Sequence, residues 1–343
     1  MLFQRWQKAT LRFTFHVLRA SAVPTAPPQT APPAPAADAP DRLTDRIGDT
    51  PLLPLRRVGA HLPDGVALYG KAEHLNPGGS VKDRPARAMV RAGRASGAFA
   101  EGQMLVDATS GNTGIAYAML GAAMDFPVRL FVPQNATPER LATLRAYGAE
   151  LVLTDPMNGT DGARREARAL ADAEPERFFY PDQYNNPANA QAHYDTTAPE
   201  LIAQTDGQLT DFVAGLGTTG TFVGVAQRLR EELPAVRCHT LQPDGPLHAL
   251  EGLKHLPTAE TPGLYDATLA DAHRTCSTET AHAMTRRLAR EEGLLLGASA
   301  GANVAAALTV AEERADAGDP GCVVTVLCDT GTRYLNENFW GEG

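Results

Sequence analysis

Cysteine is scarce in this sequence of 343 residues, and its four copies, Cys238, Cys276, Cys322 and Cys328, never form a Cys-x-x-Cys pair. That excludes a disulfide scaffold and leaves no spacing suited to a structural zinc site, so no metal ligands are assigned. No run of about 18 apolar residues occurs, and nothing reads as membrane-spanning. Positive charge is also in deficit. The formal net charge of -9 argues against general nucleic-acid binding. Lysine is the rarest cation, with only Lys8, Lys71, Lys82 and Lys254 among 31 lysines and arginines.

What remains is globular in composition, at 43% hydrophobic and 21% charged. The length favours two domains or one large α/β domain. The front end differs from the rest. Residues 1–37 carry Arg5, Lys8, Arg12 and Arg19 and no acid, and residues 22–40 are mostly alanine and proline. Such a segment buries little, so residues 1–40 are expected to form a disordered basic tail, and the folded unit to start near Asp41. A secretory signal is matched weakly at best.

After the tail, strand-length apolar runs alternate with helical patterns. Strands are expected at 66–72, 103–106, 128–132, 151–153, 211–214, 236–241 and 322–327. Helices are expected at 83–96, 113–123, 138–147, 161–173, 188–205, 221–232, 278–292 and 300–313. This alternation predicts parallel sheets with helices on both faces, and ligands beyond the carboxyl ends of the strands.

Four polar turns stand at such positions. The first runs from Asn76 through Gly78, Gly79, Ser80 and Lys82 to Arg84. In an arginine-rich chain, a lysine there suits a role that arginine cannot fill, since only the amine loses its proton readily. The second is Thr109-Ser110-Gly111-Asn112-Thr113-Gly114, with hydroxyls and backbone N–H groups suited to a carboxylate or phosphate. The third, Gly215 to Thr221, formally satisfies Gly-x-Gly-x-x-Gly. A dinucleotide site would also need an acid at the end of the next strand, where Leu241-Gln242-Pro243 stands, so a terminal monophosphate suits the loop better. The fourth, Gly297 to Asn303, centres on Ser299. Each turn alone is also explained as a helix cap or tight loop. Together they supply an amine nucleophile, a carboxylate cradle, a phosphate cradle and a small hydroxyl, a set that points to a phosphorylated aldehyde cofactor carrying an amino acid.

With Gln183-Tyr184-Asn185-Asn186-Pro187-Ala188-Asn189 added, these motifs closely resemble the pyridoxal-phosphate-dependent cysteine synthase family, from Gly48 to about Leu335. The segment from Gln242 through Glu251-Gly252-Leu253-Lys254-His255 to Tyr265 is most similar to the cysteine synthase B branch; cystathionine β-synthases are near relatives. The resemblance implies a fold type II, tryptophan-synthase-β-like architecture: α/β, two three-layer α/β/α domains with mostly parallel sheets and the cofactor in the cleft between them. It divides the chain into a domain at 41–189, whose first strands can pair with the second domain, a domain at 190–335 and a tail at 336–343.

The same resemblance implies pyridoxal 5'-phosphate as cofactor, with Lys82 carrying it and shuttling the proton. Asn112 would bind its 3'-oxygen, Gly217, Thr218, Thr219, Gly220 and Thr221 its phosphate, and Ser299 its ring nitrogen. Thr109, Ser110, Gly111, Thr113 and Gln183 would bind the substrate α-carboxylate, and Lys254 an anionic co-substrate or leaving group. The family's loop usually has glycine where Thr219 stands. The implied activity is β-replacement by an O-acetylserine sulfhydrylase-type enzyme, making L-cysteine or S-sulfocysteine from O-acetyl-L-serine or O-phospho-L-serine and sulfide or thiosulfate. The alternative is cystathionine β-synthase activity on serine and homocysteine. A cytoplasmic homodimer acting on small molecules, with neither nucleic acid nor membrane as partner, is the implied setting.

Overall fold

The computed structural model describes residues 43–341 apart from Ser110, so the proposed tail at 1–40 lies outside the described residues. Two sheets organise the chain. The first begins with β1 (Leu52–Pro54) and β2 (Val66–Lys71), which pair antiparallel. The chain then leaves this sheet through α1 (Asp83–Ser96), whose C-terminus is closed by Gly97 at φ +78°. Glycine adopts that left-handed conformation without a Cβ penalty.

The second sheet follows as a run of βα units: β3 (Met104–Ala108), α2 (Asn112–Met124), β4 (Val128–Pro133), α3 (Pro138–Ala146), β5 (Glu150–Thr154), α4 (Gly159–Ala173) and the short β6 (Phe178–Phe179). Its order is β5-β4-β3-β6 and every pairing is parallel. The α2 helix is apolar on all sides because it is covered on all sides; Ile115, Tyr117, Met119 and Leu120 are each buried.

The chain returns to the first sheet through α5 (Pro187–Ala192), α6 (Ala198–Gln204), β7 (Asp211–Gly215), α7 (Gly220–Glu232), β8 (Arg237–Pro243), β9 (Ala272–Cys276), α8 (Thr278–Arg287), α9 (Ala298–Ala317) and β10 (Gly321–Val326). The six strands run in the order β1-β2-β10-β7-β8-β9. The N-terminal strand β2 thus lies parallel to β10, near the other end of the chain, from Val66 opposite Gly321 to Lys71 opposite Val326. The α/β class with mostly parallel sheets is what the alternation predicted, and its two-domain form is what the family resemblance implied.

The structure corrects the element reading in five places, two of them the short strands β1 and β6, which were not expected. The helix expected over 188–205 is two helices joined by a π turn at His193–Thr197; Pro199 lacks the N–H that a continuous ladder requires. The helix expected over 278–292 likewise ends in a π turn at Leu288–Glu292, closed by Gly293 at φ +72°. Strand β9 was not expected, because its sequence, AHRTC, alternates at a sheet edge and carries no apolar run. Among the described residues, no helix is long and apolar enough to cross a membrane, and no cluster of His, Cys, Asp and Glu could hold a metal.

Candidate active site

A cavity of about 290 Å³ opens where the carboxyl ends of β3, β7 and β10 converge. The four polar turns meet there although they are dispersed over more than 200 positions. Its lining includes Lys82, Thr109, Gly111, Asn112, Thr113, Gln183, Gly217, Thr218, Thr219, Thr221, Lys254 and Ser299. Of the residues expected at the site, Gly220 lies behind the lining as the first residue of α7, and Ser110 lies outside the described residues.

Two lysines flank this part of the fold, Lys71 buried and Lys82 half-buried, and their surroundings divide their roles. Lys71 is fully buried and its amine is tied down: it donates to Thr50 O at 2.6 Å and Gln204 Oε1 at 2.9 Å, and pairs with Glu200 at 2.5 Å. Lys82 precedes α1, and among the described residues nothing hydrogen-bonds its amine. Desolvation holds its ammonium below the usual lysine range, opposed by the neighbouring Cys328 sulfur and Asp329. An amine that loses its proton easily and projects into a cavity is a nucleophile and a base.

What fixes Lys82 is an ionic network centred two residues along the chain. Arg84 is 1% exposed, donates to both carboxylate oxygens of Glu73 at 2.8 and 2.7 Å, and reaches Glu200 at 2.6 and 2.8 Å. Asp83 clamps the preceding turn by accepting from Gly78 N–H at 2.5 Å. The start of α1 is therefore anchored on both sides of the lysine.

The glycine–threonine loop between β7 and α7 is cramped by design. A Cβ on Gly217 would stand 2.1 Å from Gly252 O. Thr219 adopts φ +70° at the N-cap of α7, a left-handed conformation costly for a β-branched residue, which accounts for glycine being usual at this position. Its hydroxyl is buried without a partner. Thr221 Oγ1 meets Nε2 of His193 at 3.2 Å, and burial, together with Arg84 and Lys82, keeps that imidazole far below its ordinary range and neutral. A helix N-terminus, an orphaned hydroxyl and backbone held open by glycine fit a phosphate group.

Opposite lies the turn between β3 and α2. Thr113 donates its hydroxyl to Gln183 Oε1 at 2.9 Å, and Gln183 Nε2 donates to Asp107 at 3.4 Å. Asn112 lines the cavity, but its amide is engaged from behind: Nδ2 donates to Asp329 at 2.8 Å and Oδ1 accepts from Arg333. Ser299 opens α9 and stands within hydrogen-bonding reach of the Cys328 thiol, which burial pushes up to about 12 and so keeps protonated. At the other wall the Lys254 ammonium lies 4.9 Å from the centre of the Tyr184 ring, with Arg164 4.2 Å from the same ring.

Sequence reasoning did not place Cys328, Asn303, Glu251, Tyr184, Thr160 or Asp161 at the cavity. Cys328 was within reach of the strand-end rule, since it follows β10 by two residues. Glu251, which pairs with Arg140 of α3, carried no local signal.

The fitted groups are those of a pyridoxal-phosphate site, and comparison with known proteins agrees. Residues 43–329 match the family model of pyridoxal-phosphate dependent enzymes. The chain is 43% identical to a cysteine synthase of Aquifex aeolicus over 297 residues, covering 86% of this chain and 91% of that protein. It is 42% identical to cysteine synthase B of Escherichia coli over 301 residues, covering 88% and 96%. Among solved structures, O-ureido-L-serine synthase superposes with a TM-score of 0.81 at 38% identity, covering 88% of this chain and 95% of that one. With this cavity and these relatives, the chain belongs to the pyridoxal-phosphate-dependent cysteine synthase family, on the tryptophan-synthase-β fold.

Proposed function

We propose that the protein makes L-cysteine, or S-sulfocysteine, by β-replacement on O-acetyl-L-serine or O-phospho-L-serine with sulfide or thiosulfate. The observation that carries this reading is the desolvated Lys82 amine, without a hydrogen-bond partner among the described residues, in a cavity shared with Thr109, Thr113 and the glycine–threonine loop. Pyridoxal phosphate, held by Lys82, Asn112, the 217–221 loop and Ser299, supplies the electron sink that stabilises negative charge at the substrate Cα. The chain's own residues do the rest. The N–H groups of the Thr109–Gly114 turn and Gln183 hold the donor's α-carboxylate and so fix its Cα–H bond. Lys82 Nζ takes that proton. The Cβ–O bond breaks, and acetate or phosphate departs with the bonding electrons. A sulfur nucleophile then bonds to Cβ, and Lys82 returns the proton to Cα. Ser299 offers the ring nitrogen a neutral hydroxyl in place of a carboxylate, which favours prompt loss of the β-substituent.

The Lys254 ammonium beside Tyr184 supports an anionic acceptor or leaving group. A cytoplasmic homodimer is part of the same proposal, and light scattering of the purified protein tests its oligomeric half. The deciding experiment treats the protein with pyridoxal phosphate, then borohydride, and maps the covalent mass increase by peptide sequencing. The label is expected on Lys82. Product formation from each donor with sulfide, thiosulfate or homocysteine then assigns the substrates. A label on another lysine, or homocysteine as sole acceptor, would overturn the proposal.

A further inference from the structure

Behind Gln183 lies a carboxylate that the chemistry above does not use. Asp107, in β3, is 1% exposed. Its Oδ1 accepts from the Ala108 N–H at 2.7 Å and its Oδ2 from Gln183 Nε2 at 3.4 Å. Burial pushes this carboxyl up to about 7; Asp182 adds to the rise, while the Ala108 N–H, Arg164 of α4 and the Tyr117 hydroxyl of α2 oppose it. Tyr180 also faces the group, with its own phenol raised above its ordinary range chiefly by burial and then by Asp107, so it stays neutral.

We infer that Asp107 is a positioning residue, which sets the orientation of the Gln183 amide and thereby the affinity for the donor's α-carboxylate. The inference rests on the reading that the cavity takes an amino-acid donor. Gln183 stands between two partners. Thr113 donates to its Oε1, which is possible only while Oε1 faces α2. An ionised Asp107 can only accept, so it requires Nε2 on its own side. One N–H of the amide then goes to Asp107 and the other remains for an anion in the cavity. A protonated Asp107 can offer an O–H donor instead and draw Oε1 towards itself; Nε2 then turns to Thr113, whose hydroxyl accepts in place of donating, and the second N–H is redirected away from the anion. Donor binding should therefore strengthen as pH rises through neutrality, the range in which this carboxyl ionises.

The test follows both the spectral change of the cofactor-loaded protein on titration with O-acetyl-L-serine and the KM for that donor, from about pH 6 to 8.5. In the wild type both dissociation constant and KM should fall as pH rises. Asp107→Asn should raise KM by roughly tenfold at neutral pH, the scale of one hydrogen bond to a charged group, and flatten the profile, with the loss in KM rather than kcat. Gln183→Ala should flatten it as well, and adding Asp107→Asn to Gln183→Ala should cost nothing further. A flat wild-type profile, or an unchanged slope in Gln183→Ala, would overturn the inference without depending on how well the Asp107 variant folds. A wild-type protein that ignores O-acetyl-L-serine at every pH would instead overturn the functional reading, and this inference with it.

Discussion

Asn189 and Gly220 are fitted so closely that a Cβ on the glycine would stand 2.0 Å from Asn189 Oδ1. The asparagine's other amide atom, Nδ2, donates to Gln183 O at 2.7 Å and to Thr218 Oγ1 at 3.0 Å. One side chain thus ties Gln183 to the glycine–threonine loop across the cavity.

Gly220→Ala should push Asn189 out of both contacts. Overpacking of this kind costs about 1–3 kcal/mol. The expected result is a lower melting temperature and at least ~10-fold weaker uptake of pyridoxal phosphate, read by absorbance titration. Unchanged uptake would show that the loop tolerates the methyl group and that Asn189 does not organise it.

Lys82→Ala should keep the fold, since among the described residues the amine has no partner to lose. Its role as base alone is worth about 10²–10⁴ in rate, so turnover should drop at least that far. Circular dichroism and initial rates measure the two halves separately. The Lys71 variant should behave in the opposite way, because that amine holds Thr50, Gln204 and Glu200 together and does not line the cavity.

Lys254→Ala should change selectivity more than overall competence. Loss of a half-buried ammonium weakens thiosulfate or O-phosphoserine by roughly 10-fold, on the scale of 1–2 kcal/mol, and leaves sulfide with O-acetylserine less affected. The ratio of kcat/KM values for the two pairs is the measurement. Equal losses for all substrates would remove Lys254 from anion recognition.

Acid stability should track Glu200. Burial raises its carboxyl, but hydrogen bonds and charge from Arg84 and then Lys71 outweigh that and hold it down to about 2. An unfolded glutamate titrates near about 4.3, so the folded state gains stability that is complete above that pH and is lost as pH falls towards the folded value. The window spans roughly two pH units, or about 3 kcal/mol. Glu200→Gln should therefore be less stable than wild type at pH 7, with the gap closing below about pH 4, as followed by urea denaturation.

Much of the site was legible because its residues are local in the chain. A strand, a polar turn and a helix N-terminus are contiguous, so the stretches 109–114 and 215–221 declare a composition suited to an anion within a few residues. Thr219 marks the limit of such reading: its identity was visible, whereas its φ of +70° and orphaned hydroxyl follow from how α7 packs on Asn189 and Gly252. The first π turn and strand β9 were missed for a related reason, since Pro199 and a sheet edge respectively overrode local propensity.

By itself, the order of amino acids determined the alternation of strands and helices, the four chemical turns and the scarcity that drew notice to the lysines. Only the tertiary structure decided which of Lys71 and Lys82 is free among the described residues, because Lys71 is silenced by Gln204 and Glu200, more than a hundred residues away. It likewise decided that Asp107 stands behind Gln183 and that Asp329 and Arg333 grip Asn112. Desolvation and hydrogen-bond partnership are properties of what packs around a group, and no short stretch of chain contains them.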